Sequence, residues 1–289
     1  MTVNKFIPPI HIHPILIIFI FISLATGTFT HLFIILLIVL LHELGHYLMA
    51  QFFNWRINRI MLWIFGGVME TDEHGSKPFR EEFLVTIAGP VQHLFIYLLL
   101  YMNSLEGIHL VSTPIVDLVF YYNTMILIFN LLPIWPLDGG KLLFLILSTF
   151  FPFRKAYNMN LLISMIGSFL LLVIHIILFS FNLSAFLIFV FLFMENKFEW
   201  QKRYYVFIRF LLNKYNGNSR INNVRNISVS HYTPLLEVFS QFHKDEKHYI
   251  YVSYPNSTRR LFDENDCLHA YFFEKRIDLK IGDMKTNLF

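Results

Sequence analysis

Residues 31–53 read "HLFIILLIVLLHELGHYLMAQFF" and give the clearest indication of the fold. This stretch is long and apolar enough to cross a membrane as a helix, which takes about 20 residues. Two histidines and a glutamate interrupt it in "LHELGH", residues 41–46. Ionisable side chains inside a span are costly and usually functional. The stretch therefore predicts a membrane protein that carries a chemical site within one of its helices.

Composition agrees with this reading. The chain has 289 residues, of which 55% are hydrophobic and 15% charged, which rules out disorder and disfavours an ordinary soluble domain. Residues 1–195 carry eight Lys/Arg and residues 196–289 carry fifteen, so a membrane body precedes a mildly basic tail. The single cysteine, Cys267, excludes an intrachain disulfide framework and a cysteine-based zinc cluster.

The predicted fold class is a polytopic α-helical membrane protein, with six transmembrane helices around a zinc site and a C-terminal α+β cytoplasmic domain. Apolar segments place the spans at residues 13–27, 31–53, 83–103, 115–132, 160–180 and 182–195. The last two come from one apolar stretch, which is split where Asn182 allows a turn. "GKLLFLILSTFF" is shorter and predicts a partial or surface helix. The predicted domains are 1–195 (membrane domain), 196–222 (helical connector and linker) and 223–289 (regulatory tail).

The positions of basic residues predict the orientation. Lys and Arg occur at residues 5, 56–59, 77–80 and 154–155 and in the tail, whereas the loops near 28–30, 104–114 and 181 contain none. Because cytoplasmic loops collect basic residues, this alternation predicts cytoplasmic termini. The competing interpretation is a signal peptide cleaved near "SLATG".

Two segments outside the spans also have predicted structure. "NWRINRIMLWIFGGVMETDEHG", residues 54–75, is interrupted by Gly66 and Gly67 and predicts a strand or hairpin beside the site, with a cytoplasmic amphipathic loop as the alternative. The tail predicts a small α+β unit in the order strand, helix, strand, short strand and helix, carried by "ISVS", "PLLEVFSQFHKD", "HYIYVSY" and "LFDENDCLHAYFFEKR".

The histidines carry the chemistry. His42 and His46 are four residues apart, so they project from one face of a helix. Two imidazole nitrogens at that spacing can bind one Zn²⁺, and Glu43 can then act as the base on a zinc-bound water. Catalytic zinc usually takes a third protein ligand. Asp138, in "NLLPIWPLDGG" (residues 130–140), is the best candidate. The alternative for Asp138, which does not exclude the first, is a helix cap.

Two further histidines lie within predicted spans. His93 and His175 are predicted to be hydrogen-bonded within the helix bundle, because five-ligand zinc sites are rare. The alternative is that they are extra metal ligands, which would suit a relay through a transporter.

Several motifs together resemble a known family. "HELGH", "FGG", "AGP" at residues 88–90 and "NLLPIWPLDGG" are similar to those of the site-2 proteases, which are zinc peptidases embedded in the membrane. "FDENDCLHAYF", residues 262–272, extends the resemblance to the sporulation branch of that family in bacilli. The resemblance covers essentially the whole chain.

The resemblance implies a role for each matching residue. It implies one zinc per chain held by His42, His46 and Asp138, water activation by Glu43, and positioning or polarisation of the scissile region by Asn130. The substrate-binding residues that it implies are Phe65, Gly66, Gly67, Pro133 and Pro136.

The resemblance also implies a biological setting. The expected substrate is a membrane-associated precursor sigma factor, cleaved near the cytoplasmic membrane face during sporulation. The expected location is the outer forespore membrane, with the tail in the mother cell and inhibitory membrane proteins as partners. The tail resembles a single CBS domain, which implies binding of ATP or another adenine nucleotide. We expect the tail to form a homo-oligomer and to make no direct contact with nucleic acid.

Two other functions remain open on the sequence alone. The first is a polytopic membrane metal transporter, although the chain contains no internal repeat of the kind common in transporters. The second is a non-catalytic scaffold that senses nucleotide through its tail, and the intact set of His, Glu, His and Asp residues argues against it.

Overall fold

The computed structural model describes residues 10–63, 66–71, 75, 77–105, 111–178, 180–217, 223–255, 258–276 and 278–284. The chain divides into two compact units. The first comprises residues 1–74 and 80–142, and the second comprises residues 75–79 and 143–289.

The first unit is built mainly from helices. They are α1 (Pro14–Ala25), α2 (Phe29–Phe52), α3 (Phe79–Ser104, in this unit from residue 80) and α4 (Thr113–Asn130), and α5 (Asp138–Phe150) begins here and ends in the second unit. At 24 residues, α2 is about 36 Å long, enough for a hydrocarbon core of about 30 Å. Each of these helices except α5 coincides with a predicted span.

Apolar contacts join these helices. Leu16 of α1 packs on Val39 of α2, and Ile34 and Ile38 of α2 pack with Ile96 of α3. Their outward faces are also apolar, and Leu94, for example, is 61% exposed. Such surfaces suit lipid, where the driving force for helix association is packing rather than the exclusion of water.

A three-stranded sheet lies against α2. Its strands are β1 (Ile10–Ile12), β2 (Ile57–Trp63) and β3 (Gly66–Thr71), in the order β1-β2-β3. β1 runs parallel to β2, and β2 and β3 form the antiparallel hairpin that was predicted as one of two alternatives. β1 was not predicted, because a three-residue strand has too little periodicity to be recognised and its partner is distant in sequence. Ile60 and Met69 pack the hairpin onto Tyr47 of α2.

The second unit holds two long helices, α6 (Phe153–Leu178) and α7 (Leu183–Tyr215). The predicted turn at Asn182 is confirmed, and its side-chain oxygen accepts hydrogen bonds from the backbone N–H groups of Ser184 (2.9 Å) and Ala185 (3.4 Å). This is N-capping, which satisfies N–H groups left free at a helix start. α7 runs without a break past residue 195, so the predicted membrane span and the predicted helical connector form one helix.

The tail folds in the predicted order. Its elements are β4 (Asn223–Ser230), α8 (Leu235–Phe239), β5 (Glu246–Ser253), β6 (Arg259–Asp263) and α9 (Glu264–Phe272). β5 is central, parallel to β4 and antiparallel to β6. Most of the predicted linker "NGNSRINN" falls on residues 218–222, which lie outside the described residues.

The tail packs against the helices of its own unit. The ring of Phe153, in the first turn of α6, stacks on Phe210 of α7 with centroids 3.9 Å apart. The Phe153 backbone N–H donates to the carbonyl oxygen of Phe242 (2.9 Å). Lys214 of α7 forms an ion pair with Glu264 of α9 at 3.0 Å.

Helices occupy all six positions at which spans were predicted. Within the described residues, three of them are long and apolar enough to cross a membrane, namely α2, α3 and α6, while α1 is apolar but shorter. The fold is therefore that of a helical membrane protein, and the full count of six spans remains a prediction.

Candidate active site

The site begins on α2, where His42 and His46 lie on one face as their spacing predicts. Each has only 3% of its surface exposed. Their Nε2 atoms are 3.1 Å apart. Because α2 ends six residues beyond His46, at Phe52, His46 lies about 9 Å from that end of the helix.

Asp138 joins the pair from α5. Its Oδ2 atom is 3.1 Å from Nε2 of His42 and 3.1 Å from Nε2 of His46. The turn that delivers it depends on Gly139, because a β-carbon there would overlap the carbonyl oxygens of Leu131 and Leu132. The three predicted ligands therefore converge although 92 residues separate His46 from Asp138.

Hydrogen bonds to the far side of each imidazole fix its orientation. Nδ1 of His46 is 2.7 Å from the carbonyl oxygen of Val85, which can only accept, so Nδ1 carries the proton and Nε2 presents a lone pair. Nδ1 of His42 is 3.0 Å from Nε2 of His93, whose own Nδ1 is 2.7 Å from Oδ1 of Asn123. His93 is thus hydrogen-bonded within the bundle, as predicted.

The convergent atoms fit a zinc ion. A carboxylate oxygen and at least one bare imidazole nitrogen meet at 3.1 Å, a separation at which acceptors repel unless a cation lies between them. Tetrahedral zinc with bonds of about 2.0–2.1 Å separates its ligand atoms by about 3.3 Å. The His₂Asp set leaves a fourth position, which is the pattern of catalytic rather than structural zinc.

Sequence reasoning missed Lys141. Its Nζ atom lies 3.2 Å from Oδ1 of Asp138, three residues earlier on α5, which leaves Oδ2 to face the histidines. The i, i+3 spacing in "DGGK" was the available signal.

Glu43 packs against the face of β3, an outer strand of the described sheet. Its side chain is buried, at 5% exposure, against the backbone of β3. A β-carbon at Gly67 would overlap the Glu43 side chain and come within 3.0 Å of Oε1. Only glycine therefore leaves the carboxyl its place between α2 and β3.

Gly89, from the "AGP" segment of α3, serves a similar purpose at the histidines. A β-carbon there would overlap Nε2 of His46 and lie 2.8 Å from Cε1 of His42. Because glycine has no side chain, α3 can pack in direct contact with the two histidines.

The structure shows only local surroundings for most of the other predicted residues. The Asn130 amide donates to the carbonyl oxygen of Ile126 in its own helix (3.0 Å). Pro133 is exposed, and Pro136 is half-buried and follows a cis peptide bond. Phe65 lies outside the described residues, and Gly66 pairs with Trp63 at the start of β3. His175 is bonded within the bundle as predicted, with Nε2 3.3 Å from the carbonyl oxygen of Asn182.

The chain is similar to known proteins over most of its length. The profile of peptidase family M50 matches residues 30–112 and 107–174. The chain is 40% identical over 281 residues to Stage IV sporulation protein FB of Bacillus subtilis (strain 168), which covers 95% of each chain. It is 32% identical over 156 residues to a zinc metalloprotease of Methanocaldococcus jannaschii, which covers 51% of this chain and 45% of the relative. Among solved structures, a site-2 protease from Methanocaldococcus jannaschii superposes with a TM-score of 0.53 and 25% identity, over 65% of this chain and 88% of that one.

Proposed function

The chain belongs to peptidase family M50 and is an intramembrane metalloprotease, and on that premise we propose that His42, His46 and Asp138 hold one catalytic zinc ion per chain. The observation that carries the proposal is the convergence of two imidazole nitrogens and a carboxylate oxygen at mutual distances of 3.1 Å. Membership of the family sets aside the two alternatives, a metal transporter and a non-catalytic scaffold.

We assign the proton transfers to Glu43. Zinc, when bound, supplies a Lewis acid that polarises a peptide carbonyl and makes water reactive near neutral pH. Glu43 follows His42 on α2 and is held at the site by its contact with β3. It takes a proton from the attacking water and returns it to the leaving amine. The Lys141 ammonium keeps Asp138 oriented through its second oxygen.

The substrate is proposed to bind as an extended strand. β3 is at the edge of the described sheet, beside Glu43, so the backbone groups on its outer side suit pairing with an added strand. Peptide bonds within a helix are shielded from attack. If the substrate unwound and paired with β3, one of its peptide bonds would become accessible to the attacking water. Asn130 is proposed to position or polarise the scissile region, and the proposed substrate contacts are Phe65, Gly66, Gly67, Pro133 and Pro136.

The substrate class is the one implied by the resemblance to the sporulation branch of the family, and the similarity to a sporulation protein supports it. Because that protein aligns with 95% of this chain, we propose that the substrate here is a membrane-associated precursor sigma factor, cut near the cytoplasmic face during sporulation. The same relationship supports a place in the outer forespore membrane, with the tail in the mother cell, and inhibitory membrane proteins as partners.

The topology and the tail complete the proposal. Six spans with cytoplasmic termini agree with the six helix positions and with the alternation of basic loops. The β4-α8-β5-β6-α9 unit is proposed to be a CBS-like regulatory domain that binds ATP or another adenine nucleotide and forms a homo-oligomer.

The test compares wild type with Glu43→Gln in purified full-length protein, measuring bound zinc and cleavage of a precursor sigma factor. We expect about one zinc per chain in both and cleavage only in wild type. Glu195→Gln, an equivalent change on α7, is the control and should preserve both zinc and cleavage. Cleavage by Glu43→Gln at the wild-type rate would refute the assignment of the base, and wild type without zinc would refute the metal site.

A further inference from the structure

Two buried residues outside the three convergent ligands are connected to them by hydrogen bonds. His93 on α3 and Asn123 on α4 are both fully buried. His93 bonds to His42 (3.0 Å) and to Asn123 (2.7 Å), so the chain of contacts runs from α2 through α3 to α4. A second contact joins the Asn123 amide nitrogen to the backbone carbonyl oxygen of His93 (3.2 Å).

That second contact determines which atoms carry protons. A backbone carbonyl can only accept, so the Asn123 atom facing it must be the NH₂ group, and Oδ1 must face His93. Oδ1 also only accepts, so Nδ1 of His93 is the protonated nitrogen. In the neutral ring Nε2 of His93 is then an acceptor, which requires the proton of His42 to lie on Nδ1. The Nε2 lone pair of His42 is therefore left facing His46 and Asp138.

We propose that His93 and Asn123 are positioning residues, which hold the imidazole of His42 in the tautomer and orientation that present Nε2 to the metal. The proposal rests on the function given above, in that His42 is a zinc ligand. A partner on the second nitrogen is a general need of metal-binding histidines, and removing it typically weakens metal affinity by about 10- to 100-fold. His46 meets this need with the carbonyl of Val85 on α3, whereas His42 meets it with two side chains.

The assignment explains why polar groups are buried between α3 and α4. A buried amide or imidazole without partners is costly, and in the membrane it is more so. Between His93 and Asn123 the facing atoms satisfy one another, and the remaining acceptor, Nε2 of His93, is used by His42. His93 and Asn123 thus hold the proton of His42 on Nδ1, through hydrogen bonds that end at the backbone carbonyl of His93.

The experiment measures the affinity of the full-length protein in detergent for Zn²⁺, by competition with a chromophoric chelator, with no substrate present. His93→Leu and Asn123→Leu remove the acceptors and should weaken zinc binding about 10- to 100-fold. His93→Gln should restore affinity to within about threefold of wild type, because the glutamine Oε1 can reach the position of Nε2 and accept the same proton.

The matched control is Thr124→Val. Thr124 is the neighbour of Asn123 on α4, and its hydroxyl lies 2.8 Å from that of Tyr97 on α3. The change breaks a hydrogen bond between the same two helices without touching His42, so zinc affinity should stay within about threefold of wild type. Size-exclusion profiles and circular dichroism check that each variant is folded.

The outcomes separate this proposal from the one before it. Failure of wild type to bind zinc would overturn the proposed function itself. With wild type binding normally, unchanged affinity in folded His93→Leu would overturn the positioning role. So would equal losses in His93→Gln and His93→Leu, or equal losses in Thr124→Val and Asn123→Leu, since either result would make the effect one of helix packing.

Discussion

Lys214 is a charged side chain buried at the point where α7 reaches the tail. Its Nζ atom donates to Oε1 of Glu264 (3.0 Å) and to the carbonyl oxygen of Glu246 (2.6 Å). The side chains of Lys214 and Glu264 are only 3% and 7% exposed. Replacing Lys214 with methionine keeps most of the volume and removes the charge and both hydrogen bonds. Glu264 would then remain as a buried carboxylate with one partner fewer.

The cost follows from burial. Removing one member of a buried ion pair destabilises a fold by about 3–5 kcal/mol, since the other charge loses its counter-ion. At 1.36 kcal/mol per factor of ten, opening of the tail should become roughly 150- to 5,000-fold more frequent. The control is Lys247→Met, which breaks an ion pair of 3.0 Å with Asp263 in which both side chains are 24–29% exposed. Exposed pairs contribute about 0–1 kcal/mol, so this change should increase opening by no more than about fivefold.

Cys267 provides the assay. It is the only cysteine in the chain, is fully buried in α9, and reacts with a thiol reagent only when the tail opens. When closing is faster than labelling, the labelling rate is proportional to the population of the open form. The rate would be measured on full-length protein in detergent, with Cys267→Ser as the blank.

Two results would contradict a stabilising role for the buried ion pair. Labelling of Lys214→Met at the wild-type rate would mean that the ion pair does not hold the tail closed. Equal acceleration by Lys214→Met and Lys247→Met would mean that loss of a positive charge, rather than loss of a buried pair, is responsible.

Three further predictions concern the tail and the site. Burial lowers the pKa of His243 to about 4 from an ordinary value of 6.5, so the tail gains stability from the neutral ring above pH 6.5 and loses it as the pH falls towards 4. Labelling of Cys267, corrected for reagent chemistry, should therefore accelerate over that range. His243→Leu should make the acceleration smaller without abolishing it, because burial also lowers the pKa of His248. Gly89→Ala drives a β-carbon into the imidazole of His46 and should abolish stoichiometric zinc binding, measured by metal analysis after dialysis. Gly67→Ala displaces the carboxyl of Glu43, the proposed general base, so zinc should be retained while the rate of cleavage falls about 100-fold. The two alanine variants control for one another, and equal zinc loss in both would contradict the separate roles.

Much of the fold was predictable because its signals are local. Apolar segments of the right length predicted helices at six positions, and α1, α2, α3, α4, α6 and α7 occupy them. Alternation and turn residues predicted the tail elements in their order. β1 was not predictable, because three residues carry too little pattern and their pairing with β2 depends on a distant part of the chain.

The candidate site also contains residues that local sequence patterns predicted and residues that they did not. The four-residue spacing of His42 and His46 placed both on one face of α2, since helical periodicity is a property of the local sequence. Asp138 was predictable as the candidate third ligand because it follows two prolines that end the preceding helix and precedes Gly139 and Gly140, which permit close approach. The contact between His93 and Asn123 was not predictable, because in the sequence both are simply polar residues within apolar helices. The sequence predicted only that His93 is hydrogen-bonded within the helix bundle, without naming its partner.

Local patterns in the amino-acid sequence were enough to predict the helices, the face that carries the histidines and the kind of chemistry that they suit. Three contacts required the packed fold: Asn123 with His93, His93 with His42, and Lys141 with the oxygen of Asp138 that faces away from the histidines. The physical reason is that periodicity fixes directions within one helix, whereas contacts between helices depend on their register and separation. These are set by packing, and here by the absence of a side chain at Gly89, which lets α3 lie close enough to α2 for the hydrogen bonds to form.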